Sequence, residues 1–178
     1  MQKRKLKNSE LDRLDIAGFK KTKKTPLIVV LDNIRSLNNI GSVFRTSDAF
    51  AIEKIYLCGI TAQPPHKDIH KTALGSTDSI EWEYVEDILI LIAQLKADGI
   101  TIVSVEQAEN SITLQDFEVD KQKTYALILG NEVKGVQQNV VDASDFCVEI
   151  PQFGTKHSLN ISVSCGVVLW DLFKKMRL

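Results

Sequence analysis

The 178-residue sequence is poor in residues that cross-link or tether a chain. Its three cysteines, Cys58, Cys147 and Cys165, are far apart and odd in number. They form neither a disulfide framework nor a CxxC pair, which suits a reducing compartment and a cytoplasmic location. Histidines are also three. His66 and His70 stand four apart, but Lys67 occupies the place where an HExxH site needs glutamate, so no metal is expected. No stretch approaches the roughly 18 apolar residues of a membrane span. The charged N-terminus lacks the apolar core of a signal peptide, so secretion is not expected either. Net charge is nearly absent as well. Lys and Arg number 22 against 23 Asp and Glu, a balance that taken alone argues against a polyanion partner.

The charge that is present is unevenly spread. Residues 1–24 hold nine basic side chains against three acidic ones, while the remaining 154 hold 13 against 20. A basic N-terminal extension on an acidic body reads either as a contact for nucleic acid or anionic membrane, or as a solvated tail. Thr25-Pro26 marks its end. In a chain with 44% apolar residues, the 154 residues beyond the extension are enough for one domain with a sizeable core and too few for two.

After that boundary, short apolar runs alternate with longer helical patterns. Strands are expected at 27–31 (LIVVL), 54–58, 100–105, 125–129 and 146–150, with a more polar edge strand at 80–84. Helices are expected at 38–51, with Asn38 or Asn39 as N-cap, and at 85–97, 133–143 and 158–175. Strands alternating with helices predict an α/β domain, its sheet mostly parallel and covered by helices on both faces. The last helix is apolar nearly all round, as a helix buried at a subunit interface or deep in the core would be.

Ligands of such sheets bind beyond the carboxyl ends of the strands. Three segments there stand out. The first, NNIGSVFRT (38–46), carries Asn39, Gly41 and Arg45. A guanidinium can hold a phosphate bidentately, although a lone Arg on an amphipathic helix also serves as a surface residue. The second, ILGNEVKG (128–135), has the GxxxxG spacing of a phosphate loop. Val136 and Gln137 replace the Lys and Ser or Thr of a Walker sequence, and GxGxxG is absent, so neither an ATPase nor a standard dinucleotide site is supported. Glu132, within it, reads more simply as a hydrogen-bonding residue than as an acid catalyst. The third, IPQFGTKHSLNISVS (150–164), is a polar loop leading into the apolar helix.

In this order and at these strand ends, the three segments resemble motifs 1, 2 and 3 of the SpoU (TrmH-type) 2′-O-ribose RNA methyltransferases of the SPOUT superfamily. The resemblance covers residues 26–175. It implies a parallel sheet whose C-terminal segment forms a deep trefoil knot; the general rule against knotted connections would otherwise predict an open, flavodoxin-like sheet. It implies S-adenosyl-L-methionine as cofactor and RNA as substrate, tRNA favoured over rRNA, with no metal and no membrane, and a homodimer through the C-terminal helix. By resemblance, Gly130, Ile150 and Leu159 cradle the cofactor, with Glu106 and Gln107 as further contacts on that side. Asn39, Arg45, Glu132, Ser158 and Asn160 match residues that gather at the site of transfer. For Asn39, Glu132 and Asn160 a structural part, pinning the loops, remains the other reading. Departures are small: Gln152 stands where an apolar residue is common and Trp170 where Tyr is common. The domains implied are a basic extension, 1–24, and a methyltransferase domain, 25–178. The alternative is a catalytically inactive SPOUT-fold module for RNA binding or assembly.

Overall fold

The computed structural model describes residues 3–178. Seven strands form one sheet: β1 (Thr25–Asp32), β2 (Ile52–Cys58), β3 (Glu81–Val85), β4 (Thr101–Val105), β5 (Ile112–Thr113), β6 (Tyr125–Leu129) and β7 (Phe146–Glu149). Their order is β3-β2-β1-β6-β4-β7-β5, and every pair is parallel. The helices are α1 (Ile16–Lys21), α2 (Leu37–Ala49), α3 (Lys67–Ala73), α4 (Ser76–Ser79), α5 (Ile88–Ala97), α6 (Gln138–Ala143) and α7 (Ile161–Arg177).

The run LIVVL explains why helices lie on both faces. Strand side chains alternate. Leu27, Val29 and Leu31 enter one core with Phe44 of α2 and Leu169 of α7, while Ile28 and Val30 enter a second with Leu91 of α5 and Val140 of α6. A strand buried on both faces needs a continuous apolar run, as found.

Four helix starts differ from expectation, each for a local reason. Ser36, not Asn38 or Asn39, caps α2, its hydroxyl accepting the N–H of Asn39 at 3.3 Å. Strand β3 continues to Val85, which pairs with Cys58, and α5 begins only after Asp87 caps Leu89 and Ile90. Residues 133–136 are not helical because Asn131 and Gly135 form an antiparallel bridge, with Gly135 at φ +66°. Residues 158–160 stay extended, and the Asn160 side chain caps α7 at Ser162. The short helices α1, α3 and α4 and the two-residue β5 carry too little periodicity to be read from sequence. His66 is spent on capping α3, its Nδ1 accepting the N–H of Asp68 at 3.2 Å. Among the described residues no helix is long and apolar enough to cross a membrane.

Part of the basic extension is packed down. Asp15 caps α1, Phe19 is buried, and Lys24 donates to the Phe19 carbonyl at 2.6 Å while lying over its ring. Helix α1 packs on α4, near the amino ends of β1 and β3.

Candidate active site

A cavity of about 940 Å³ opens beyond the carboxyl ends of β4, β6 and β7. Three loops wall it: the turn after β4 with Glu106 and Gln107, the turn 130–136 after β6, and residues 150–160 between β7 and α7. Apolar side chains, among them Val105, Leu129, Ile150 and Leu159, alternate with polar groups on its walls.

The turn after β6 is folded tightly on itself. Asn131 and Gly135 exchange backbone hydrogen bonds of 3.1 and 2.8 Å, and the Asn131 side chain accepts the N–H groups of Val133 and Lys134. A Cβ at Gly130 would collide with the backbone of Gly135 and Val136, so only glycine fits this close approach. Clamps hold the turn from both sides. From β4, the Glu106 carboxylate accepts the N–H of Val136 and of Gln107, each at 2.8 Å. From β1, the Asn33 carbonyl accepts Asn131 Nδ2 at 2.8 Å, and Asp32 accepts Gln137 Nε2 at 3.2 Å. Asp32 is 2% exposed, and burial pushes its carboxyl pKa up against the lowering effect of its hydrogen bonds from Gln137 and Asn33.

Glu132 ties this turn to α2. Its carboxylate accepts the backbone N–H of Arg35 (3.0 Å) and Ser36 (2.9 Å) and the Asn39 side-chain amide (3.2 Å). Burial acts to raise its pKa, but these hydrogen bonds outweigh it and hold the group below the usual carboxylate value. Asn39 in turn accepts Asn160 Nδ2 at 3.1 Å, and Asn160 Oδ1 accepts the N–H and hydroxyl of Ser162. One chain of contacts, Glu132–Asn39–Asn160, therefore joins all three sequence segments. Gln107 adds a fourth tie, donating to the His157 carbonyl at 2.8 Å.

Of the residues singled out by sequence, Gly130, Glu132, Ile150, Ser158, Leu159, Asn160, Glu106 and Gln107 line the cavity. Asn39 lies just behind it, joined to Glu132 and Asn160. Arg45 does not line it: it is exposed on α2, one residue before Thr46, which faces Gly166 of α7. Sequence reading marked Asp32, Asn33 and Gly135 only as polar or glycine positions of the post-strand segments, without their clamping roles, and missed Asn131. Their place at or beyond the carboxyl ends of β1 and β6 was the available signal.

An all-parallel sheet with a loop-walled cavity at its carboxyl edge, lacking a Walker sequence, defines an α/β protein whose candidate site has the size and lining suited to a small organic group. The chain belongs to the SpoU rRNA methylase family, whose profile matches residues 26–170. It is 32% identical over 90% of its length to an uncharacterized tRNA/rRNA methyltransferase of Borreliella burgdorferi, covering 68% of that protein. It is 31% identical over 84% of its length to the 23S rRNA (guanosine-2′-O-)-methyltransferase of Nitrosomonas europaea, covering 56% of it. Among solved structures, the A. aeolicus TrmH/SpoU tRNA modifying enzyme superposes with a TM-score of 0.79 at 26% identity, over 90% of this chain and 80% of that one. An AdoMet-bound rRNA methyltransferase of Sinorhizobium meliloti gives 0.78 at 25% identity, over 90% and 60%. The chain thus spans between just over half and two thirds of the length of the two curated relatives.

Proposed function

We propose that this chain is an S-adenosylmethionine-dependent methyltransferase acting on a ribose 2′-hydroxyl of RNA, tRNA favoured over rRNA. The observation that carries the reading is the Glu132–Asn39–Asn160 chain, which draws the three motif segments together at one cavity. A cavity of about 940 Å³ with a glycine-lined turn and apolar patches fits an adenosine-sized group. When bound, the cofactor supplies a methyl group on a sulfonium. Gly130, Ile150, Leu159 and Gln107 would hold it, the backbone reading the adenine edge. The remaining demands fall on the chain: orient the hydroxyl, exclude water and stabilise the developing oxyanion. A guanidinium keeps its proton across the physiological range. Arg45 is therefore assigned to the oxyanion and an RNA phosphate rather than to the base. Because it does not line this chain's own cavity, that role requires its delivery across a homodimer, with Ser158 at the cavity wall helping to orient the ribose.

The same reading includes a homodimer through α7. While Cys165, Leu169 and Leu172 face the core, Val163 and Trp170 are 52% and 49% exposed on the same helix. Arg45, beside the α2–α7 contact, would then lie near the dimer rim. The C-terminal knot and the cytoplasmic location implied by the resemblance belong to this reading too. In favour of a tightly held C-terminus, Lys175 of α7 donates to the carbonyls of Leu114 and Phe117 at 2.7 and 2.9 Å.

The test is methyl transfer from S-adenosylmethionine to separated tRNA and rRNA, followed by mapping of the 2′-O-methyl site. Incorporation at one ribose of a tRNA is expected; cofactor binding with no transfer to any RNA would favour the inactive module. Arg45→Lys is expected to slow single-turnover transfer about 10- to 100-fold, because a lysine cannot reproduce the guanidinium fork. A rate close to wild type would remove any need for that fork.

The basic extension and the methyltransferase domain divide the labour. β1 is eight residues long, about 25 Å, so α1 sits at the end of the sheet opposite the cavity. The extension then acts as a remote phosphate contact. Removing residues 1–14 spares Phe19 and its packing but deletes five basic side chains. Weaker RNA binding with a flatter salt dependence is expected, and cofactor affinity should not change. Unchanged RNA affinity in the truncated chain would refute this part.

A further inference from the structure

We propose that Phe153 is a stacking platform for an unpaired RNA base next to the reacting nucleotide. The inference deepens the RNA methyltransferase reading and rests on it. Phe153 is 99% exposed, more than any other large apolar residue among those described. A phenyl ring left in water forgoes the burial that stabilises such side chains, so it stands out unless something covers it.

Its surroundings say what covers it. Phe153 belongs to the loop between β7 and α7, whose Gln152 and His157 line the cavity. The loop is tied to the turn after β4 by the Gln107–His157 hydrogen bond, and Phe153 stands on it next to Gln152, a lining residue. Lys156, three residues on, is exposed. On another wall of the same cavity, Val133 is 78% exposed and Lys134 is exposed. A bare aromatic ring with one lysine on its own loop and another on a wall of the adjoining cavity is the chemistry that takes single-stranded nucleic acid, base on ring and phosphate on lysine.

Carboxylates outnumber ammonium groups on the cavity lining. Glu109, Asp142 and Glu149 line the cavity, which disfavours a phosphate there and suits a cationic sulfonium. Phosphates are left to the exposed Lys134 and Lys156, of which only the first lines the cavity. Two other occupants fit less well. Phe153 does not line the cavity, so it is not a cover for the cofactor. Lysine is depleted in protein interfaces, and the unpartnered apolar residues of the proposed dimer lie along α7 rather than here.

The test compares Phe153→Ala, Phe153→Leu and Phe153→Tyr. Fluorescence anisotropy with a labelled 12-nucleotide single-stranded RNA reads RNA affinity, calorimetry reads S-adenosylmethionine affinity, and light scattering reads mass. Phe153→Ala is expected to weaken RNA binding about tenfold and Phe153→Leu nearly as much, with Phe153→Tyr within about twofold of wild type. Cofactor affinity and mass should not move. Unchanged RNA affinity in Phe153→Ala overturns the proposal, as does a leucine variant equal to tyrosine. A parallel loss of cofactor affinity would make the ring a cofactor cover, and a fall in mass would make it a protein contact; either overturns it. Wild-type chain that binds the cofactor but no RNA fails at the first measurement, before any variant, and overturns the parent reading.

Discussion

Glu132→Gln is expected to cut methyl transfer by about a hundredfold and to cost about 2 kcal/mol of stability. Both effects arise from the hydrogen bonds the carboxylate accepts. Its two oxygens take three N–H groups, from Arg35, Ser36 and Asn39. Glutamine keeps one oxygen and turns an NH2 toward donors that need an acceptor. An amide N–H at the start of α2 then goes unsatisfied, and the tie between the β6 turn and α2 loosens. Asn39 is freed from Glu132 and holds Asn160 less firmly. Displacements of about 1 Å at a site that must align a hydroxyl with a methyl group are enough for a hundredfold loss.

The pH dependence gives an independent check. The folded Glu132 pKa lies below its ordinary value because hydrogen bonds to the ionised form outweigh burial. Its stabilisation is thus present above the ordinary carboxylate value and is lost as pH falls through the lowered folded value. Urea unfolding of wild type should weaken across that acid window, and the glutamine variant should weaken less. Lost activity with a wild-type urea midpoint would instead make Glu132 a group that touches the reaction. Wild-type activity would sink both accounts.

The two halves of this site were not equally legible in the sequence. Strand β1 could be read because its burial is symmetric: LIVVL has to be apolar at every position when both faces are covered. The turn after β6 could be located because Gly130 ends an apolar run, but its clamps could not. Glu106, Asp32 and Asn33 lie at the ends of other strands, and what they hold (the Val136 N–H and the Gln137 and Asn131 side-chain amides) is set by long-range packing that no local pattern encodes. Asn39 shows the limit most clearly. From the sequence it served equally as a helix cap or a site residue. Ser36, three residues earlier, took the cap, leaving the Asn39 amide to bridge Glu132 and Asn160. Asn39, Glu132 and Asn160 are hydrogen-bonded to one another in a chain, the arrangement that pinning the loops requires. Strand order was beyond reach as well: that β6 inserts between β1 and β4 depends on long-range pairing no local pattern encodes.

Gly41→Ala is expected to cost as much stability as Glu132→Gln, and it reaches the site indirectly. In isolation the substitution should help, since alanine is favoured over glycine inside a helix by about 1 kcal/mol. The structure reverses the sign. Gly41 is buried where α2 crosses α3, and a Cβ there would penetrate the carbonyl oxygen of Ile69 and the hydroxyl of Thr72, with the Ala73 nitrogen at 3.0 Å. Two of these are backbone atoms that cannot rotate away, and the Thr72 hydroxyl is held by the Asn38 carbonyl at 3.0 Å. Overpacking against backbone costs about 3 kcal/mol or more, which exceeds the helix gain and leaves a net loss of about 2 kcal/mol. For a chain of this length that lowers Tm by roughly 4–8 °C. Relief by sliding α2 away from α3 would carry Asn39, two residues back, out of register with Glu132 and Asn160, so activity should fall further than the Tm shift alone predicts. Gly154→Ala is the matched control: nothing lies within 4 Å of its Cβ position, and its Tm should not change. If calorimetry found Gly41→Ala as stable as that control, α3 would have to yield freely, and the glycine of NNIGSVFRT would need a reason other than helix crossing.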